Sequence, residues 1–205
     1  MIGGNLEARP EDYIARQHYV NLRHTNGSIE VSSDYERVYD LIEDLELEAL
    51  PPGSSILSLG CRTGYEVRIL GQRFPNCRVV GLDIVGAFIV AAEVADGNPN
   101  TEYYNADMHQ LPFRDGEFDV VFCVGTFEHC YNLQRAALEM QRVCKRLLYV
   151  TADLMPDVSR SDEAASEDPA EWLSLFQREG WKLKRDWQEP GCIVKASYHM
   201  VWERT

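Results

Sequence analysis

The segment from Ile56 to Glu66, ILSLGCRTGYE, constrains this chain more than any other. A short apolar run, Ile56-Leu57-Ser58-Leu59, enters a turn bracketed by Gly60 and Gly64. A helical pattern follows from Tyr65, with Val67, Leu70 and Phe74 on one face. An apolar strand that turns through glycines into a helix opens a βαβ unit. Such a turn gives backbone N–H groups room to approach a ligand, beside a helix N-terminus. The glycines matter because a Cβ would block the approach or forbid the backbone angles. Taken alone, G-x-x-x-G also describes a plain tight turn.

The rhythm continues downstream. Arg78 to Leu82 reads as a second strand, Gly86 to Val94 as a second helix and Thr101 to Tyr104 as a third strand. Phe118 to Cys123 is apolar almost throughout, as a strand buried on both faces should be. Asn132 caps a helix whose inner face is Leu133, Ala136, Met140 and Val143, and Leu147 to Thr151 is a fifth strand entered directly from Lys145-Arg146. Asp168-Pro169-Ala170-Glu171 opens a last helix with Asp at N-cap and Pro at N1, and Gly180 closes it. Trp181 to Arg204 alternates around Pro190-Gly191 as a two-strand hairpin. Before the glycine turn, Ser33 and Glu36 form a capping box. Tyr35, Val38, Leu41, Ile42 and Leu45 continue that helix, and Pro51-Pro52-Gly53 stops it. These elements predict an α/β, Rossmann-like three-layer sandwich with a mostly parallel seven-stranded sheet and an antiparallel C-terminal hairpin.

The chemistry-bearing residues fall at strand ends. Asp83 ends the second strand about twenty residues after the glycine turn, where a carboxylate can accept from ribose hydroxyls or cap a helix. Asp107-Met108 follows the third strand, ahead of Leu111-Pro112-Phe113, and a carboxylate there can accept from an adenine amino group. The fourth strand ends in Val124-Gly125-Thr126-Phe127-Glu128-His129. Open α/β sheets bind ligands at the carboxyl ends of their strands, so these turns point to one edge.

Together ILSLGCRTGYE, GLDI, NADMHQLPF and FDVVFCVGTFEH resemble the class I S-adenosylmethionine-dependent methyltransferases, within them the small-molecule group with LPF and EH signatures. The resemblance covers roughly Ser33 to Thr151. It implies S-adenosylmethionine as methyl donor, with Gly60, Cys61 and Gly64 lining its methionine half, Asp83 on the ribose and Ile84 packing on adenine. It implies Asp107 on the adenine amino group, the Met108 backbone on the ring, and Val124 under the cofactor near the sulfonium. The family usually has an acid where this chain has Ser58 and a further glycine where it has Arg62. Ser58 can orient the loop but supplies no charge to an ammonium. Arg62 brings a cation toward a cationic sulfonium unless it turns away; turned suitably, it can pair with a carboxylate.

The implied organisation is one methyltransferase domain over residues 1–205. It has an N-terminal helical lid or extension over 1–50 and a cofactor-binding core over 55–152. A substrate-side loop, last helix and hairpin take 153–205. His129 is the candidate general base, or else a structural histidine of its loop. Tyr13, Tyr19, Asn21 and Arg23 form either a lid over the substrate or a surface helix; His109 reads as a loop residue. The function implied is methyl transfer to a small-molecule oxygen, nitrogen or carbon nucleophile. Ser58 and Arg62 motivate the alternative, a non-catalytic S-adenosylmethionine- or S-adenosylhomocysteine-binding or scaffold protein.

Bulk properties set the remaining bounds. A formal net charge of −13 repels phosphate backbones, which argues against nucleic acid as partner. The six cysteines are scattered without a C-x-x-C pair, so neither a zinc framework nor a disulfide framework is expected, and no metal site is read. No apolar run is long enough to span a bilayer, and the start lacks the basic and apolar regions of a secretory signal, so the expectation is a cytoplasmic protein with no membrane partner. Neither the acceptor nor the number of subunits carries a motif.

Overall fold

The computed structural model describes residues 42–43, 45–154, 166, 168–190 and 196–205. The lid candidates Tyr13, Tyr19, Asn21 and Arg23, the Ser33 capping box, Gly191 and nearly all of the acidic stretch before Asp168 lie outside the described residues. The rest fall into two compact units, divided between Met108 and His109.

The first unit holds three parallel strands in the order β3-β2-β1: β1 (Ser55–Leu59), β2 (Arg78–Asp83) and β3 (Thr101–Asn105). Ser58 lies opposite Gly81 and Asp83 opposite Asn105. Helix α1 (Tyr65–Arg73) joins β1 to β2 and α2 (Gly86–Ala95) joins β2 to β3. The core follows from the alternation of apolar residues: Ile56, Leu57, Val67, Leu70, Val79 and Val80 are fully buried. Asn100 closes the end of α1, its side-chain amide reaching the carbonyls of Gly71, Phe74 and Cys77.

The helix predicted up to Pro51 ends earlier. Glu46 adopts a left-handed backbone with φ 51° and donates its N–H to Glu43 O, and a single 3₁₀ turn, Leu47–Ala49, follows. Leu45 and Leu47 are both buried, so the chain breaks its helical period to put two near neighbours into the core.

The second unit holds β4 (Phe118–Cys123), β5 (Cys144–Leu154), β6 (Trp181–Pro190) and β7 (Ala196–Arg204) in the order β4-β5-β7-β6. β4 and β5 are parallel, and β7 runs antiparallel to both β5 and β6. The seven-stranded, mostly parallel, Rossmann-like α/β fold with its antiparallel C-terminal hairpin is the predicted class. Helix α3 (Leu133–Val143) starts at Asn132, whose side chain accepts from Arg135 N at 2.9 Å. It runs into β5 without a loop, which lengthens that strand beyond the predicted Leu147–Thr151.

Helix α4 (Pro169–Phe176) starts as predicted, with Asp168 accepting from Ala170 N at 2.9 Å. It stops at Phe176 rather than near Gly180. Gln177-Arg178-Glu179 offers no apolar side chain to bury, and Gly180, at φ 80°, turns the chain into β6. Trp172 and Phe176 are fully buried beside Phe127 and Trp202.

Candidate cofactor site

The strand ends of the first unit converge on one residue. Asp83, only 7% exposed, closes β2 and accepts Arg62 N–H on Oδ2 at 2.9 Å and Val85 N–H on Oδ1 at 2.8 Å. Its backbone carbonyl accepts Ala106 N at 3.1 Å and Asn105 Nδ2 at 3.0 Å from the end of β3. One carboxylate and one carbonyl thus tie the glycine turn, the β2 turn and the β3 turn together. Ile84 is half-buried after it, Asp107 is half-buried beyond β3, and Met108 is buried.

The glycine turn is left-handed at three places: Gly60 (φ 74°), Arg62 (φ 48°) and Gly64 (φ 71°). A side-chain residue is uncommon there, because its Cβ crowds the carbonyl. Position 62 therefore keeps a glycine-like backbone while carrying arginine. The Arg62 side chain is exposed and its guanidinium lies 5.7 Å from the Phe88 ring centre on α2, so it does not fill the turn. Gly64 packs under Tyr103 of β3: a Cβ there would meet the ring at 2.5 Å. The Tyr103 hydroxyl lies 2.6 Å from Asp96 Oδ2 and 3.3 Å from Gly64 O. Burial, then the Asp96 bond, push its phenol well above the ordinary range, so it stays protonated as a donor.

Four backbone N–H groups of this turn are spent internally. Gly60 N and Cys61 N donate to Leu82 O, Arg62 N to Asp83, and Gly64 N to Cys61 O. Beside them stands the first turn of α1. No side chain caps that helix at Gly64, and an uncapped helix N-terminus seats an anion. Cys61 is 1% exposed, its Sγ packed where a Cβ on Gly81 would stand 2.9 Å away. Burial first, then the charges of Asp83 and Glu66, raise its thiol pKa well above normal.

In the second unit Val124 is half-buried at the end of β4 and its carbonyl accepts from Thr126 Oγ1 at 3.3 Å. Gly125 N donates to Thr151 Oγ1 at 2.8 Å. His129 is half-buried in a 3₁₀ turn, Phe127–His129, with Glu128 1% exposed. His109 is no ordinary loop residue. It is 2% exposed, stacks on Tyr131 at 3.6 Å and accepts Asn132 N on Nε2 at 3.3 Å. The Leu111-Pro112-Phe113 turn is held by α3: Glu139 accepts Leu111 N at 2.8 Å, and Arg142 donates to Phe113 O at 2.8 Å and Leu111 O at 3.1 Å while pairing with Glu139. Tyr149 Oη lies 2.6 Å from His199 Nδ1 on the hairpin. Sequence reasoning missed Glu66, Tyr103, the Glu139–Arg142 pair and this contact. An i,i+3 acid–base pair was the visible signal for Glu139–Arg142; the others have none short of the strand register. Among the described residues, no group of three or more His, Cys, Asp or Glu side chains could hold a metal, and no helix is long and apolar enough to cross a membrane.

Residues 57–148 match a family described as "Methyltransferase domain". That segment is similar to a methyltransferase domain. The chain is 30% identical to 2-methyl-6-phytyl-1,4-hydroquinone methyltransferase of Synechocystis sp., over 69% of this chain and 44% of that protein. It is 32% identical to "Probable tRNA methyltransferase 9B" of Homo sapiens, over 55% of this chain and 26% of that protein. Its fold matches magnesium protoporphyrin IX methyltransferase from Synechocystis PCC 6803 with bound SAH: TM-score 0.66, 18% identity, 95% of this chain and 97% of that one. The chain spans less than half the length of the curated relatives it matches.

S-adenosylmethionine is the methyl donor of this class. The residues present fit such a molecule. A carboxylate fixed by two backbone N–H groups suits ribose hydroxyls, an uncapped helix end suits an amino-acid carboxylate, and Ile84 and Met108 offer apolar surface for an aromatic base.

Proposed function

We propose that the chain is an S-adenosylmethionine-dependent methyltransferase of a small-molecule oxygen, nitrogen or carbon nucleophile, read as one domain over residues 1–205. The observation that carries this reading is the convergence of three turns on Asp83. In it Asp83 takes the ribose hydroxyls, Ile84 and the Met108 backbone flank adenine, and Asp107 accepts from its amino group. Ser58, Gly60, Cys61, Arg62 and Gly64 frame the methionine half. From the second unit we assign Val124 to the cofactor and His129 to the acceptor's proton.

Bound S-adenosylmethionine supplies a methyl group on a sulfonium, already a good electrophile. The chain's residues therefore work mainly by holding the reactants in line. The bonds to Asp83 fix the turn before any ligand arrives, which lowers the ordering cost of binding. His129, half-buried rather than sealed in the core, can take a proton from an acceptor hydroxyl or amine near neutral pH.

Enzyme is preferred over scaffold because the two atypical positions are accommodated: Arg62 points outward over Phe88, and Ser58 holds a carboxylate. A small acceptor is preferred over RNA on the net charge of −13. A cytoplasmic setting is supported by five buried thiols with no disulfide among the described residues. Isothermal titration with S-adenosylmethionine and S-adenosylhomocysteine tests the cofactor: binding of both is expected, and no binding of either at millimolar concentration overturns the reading. Radiolabelled methyl transfer to a panel of small nucleophiles tests the acceptor class, and a steeply salt-dependent affinity for RNA would reverse it.

A further inference from the structure

β3 is one edge of the strand order, and among the described residues it pairs with β2 alone. Val79 N donates to Asn100 O at 2.9 Å and Ala106 N to Asp83 O at 3.1 Å. Backbone groups alternate in direction along a strand. Glu102 and Tyr104 therefore also turn theirs toward β2, while Thr101 and Tyr103 turn theirs outward. Such an outward row of N–H and C=O groups is a template for another strand.

The two edges of the sheet are built differently. β6 carries Lys182, Lys184 and Arg185, shifts register between Leu183 and Arg185, and ends on Pro190, all of which discourage pairing. β3, Thr101-Glu102-Tyr103-Tyr104-Asn105, has no lysine, no proline and no bulge, and it meets β2 in unbroken register. Its threonine and tyrosines favour strand pairing. Its one charge, Glu102, is engaged by Arg78 of β2, which donates to Oε1 at 2.8 Å and to Oε2 at 2.9 Å.

The surroundings of the β3 edge select what it accepts. Glu93, Asp96 and Glu102 line a cavity of about 490 Å³ beside Tyr103 and Tyr104, and among the described residues no lysine or arginine lines it. On α2, Val90 and Val94, 60% and 83% exposed, stand next to Glu93. A second copy of β3 laid on this edge would set these carboxylates against their own copies, which disfavours it. An extended segment with basic and apolar side chains meets both the carboxylates and the valines.

We propose that the β3 edge is a docking site for an extended segment of a partner protein, rich in lysine or arginine, that adds to the sheet as a further strand. The outward backbone row makes the surface a site, and the carboxylates choose its occupant. This docking site does not depend on the methyl-transfer reading.

The test titrates a fluorescein-labelled peptide of alternating lysine and valine with the full chain, read by anisotropy at low ionic strength. Two controls run beside it: a glutamate–valine peptide, and the lysine–valine peptide with a central proline. The lysine–valine peptide is expected to bind about tenfold more tightly than either control. Equal binding of either control overturns the proposal, as does no binding at millimolar concentration. Glu93→Lys, on the exposed face of α2, is expected to weaken the lysine–valine peptide about fivefold, and an unchanged affinity overturns the choice of a basic partner. Amide hydrogen exchange by NMR reads the geometry. The Thr101 and Tyr103 amides are expected to exchange freely in the chain alone and to become protected with the peptide, while those of Glu102 and Tyr104 are protected throughout. Protection of Tyr103 in the chain alone at every concentration shows the edge already covered by the chain itself. Protection that grows with protein concentration, together with a dimer in sedimentation, shows a second copy on it. Either result overturns the proposal.

Discussion

The glycine turn of the first unit and the Leu111–Phe113 turn of the second are held by opposite chemistry. In the first, backbone N–H groups point inward and a carboxylate collects them: Arg62 N and Val85 N both reach Asp83. In the second, carbonyls point inward and a guanidinium collects them: Phe113 O and Leu111 O both accept from Arg142. Each turn is thus satisfied by the charge its exposed backbone dipoles demand. The first also carries left-handed backbone at three positions, of which only Arg62 is not glycine, so its polar anchor works against strain at that one residue. The second has no such strain among its residues, and its anchor adds rigidity alone.

If that contrast is right, Asp83→Ala has the largest effect. It orphans two backbone N–H groups bonded to a charged acceptor, worth roughly 3–4 kcal/mol in total. Urea unfolding would measure it. Asp83→Asn keeps one acceptor oxygen and is expected to cost about half as much. Equal losses from both would show that the retained oxygen contributes nothing and that the charge carries the anchor.

Gly64→Ala comes next, at about 3 kcal/mol, from a left-handed backbone plus overlap with the Tyr103 ring. The two parts separate in a double-mutant cycle. Adding Tyr103→Leu removes the overlap and leaves the backbone cost, so the pair should couple by about 1 kcal/mol or more. Strict additivity would place the whole cost in the backbone and contradict the packing of Tyr103 on Gly64.

Arg142→Ala should cost about 2 kcal/mol, since it takes the guanidinium donor from two carbonyls and from the Glu139 carboxylate, whose side chain is 11% exposed and keeps the Leu111 N–H. Here pH adds a second test. The Arg142 bond holds the Glu139 carboxyl below its ordinary range, helped by Leu111 N–H. A depressed carboxylate contributes stability above its unfolded pKa of about 4.3, and that contribution drains away as pH falls through the folded value. Glu139→Gln should therefore be less stable than wild type at pH 7 and approach it below about pH 4. Parallel melting-temperature curves from pH 3 to 7 would refute the assignment.

The same contrast explains what could be read from the sequence. Asp83 was legible because its spacing from Gly60 follows from one strand–helix–strand unit, and a parallel unit leaves little freedom in where the next strand ends. Asn132 and Asp168 were legible as caps because capping is local. Glu139 and Arg142 act on a turn twenty-eight to thirty-one residues upstream, and no local pattern states which carbonyls a helix will face. Tyr103 was hidden for a related reason: its ring meets Gly64 across the β1-β2-β3 register, thirty-nine residues away. Apolar period cannot foresee the early end of the helix before Glu46, since Leu45 and Leu47 reach the core only by breaking that period.

The smallest effect belongs to Arg62, and it isolates strain from side chain. Arg62→Gly relieves a left-handed residue of about 1 kcal/mol. It loses an exposed cation–ring contact of about 0.5 kcal/mol and adds glycine's flexibility in the unfolded chain. The sum should lie within about 0.5 kcal/mol of wild type by these magnitudes. Arg62→Ala loses the ring contact but keeps the left-handed backbone, so it should fall about 0.5 kcal/mol below wild type. Glycine should then exceed alanine at this position, the reverse of the order at an ordinary site. If alanine proved the more stable, φ 48° would not be the conformation of Arg62 in solution, and the bond from its N–H to Asp83 would lose its geometric basis.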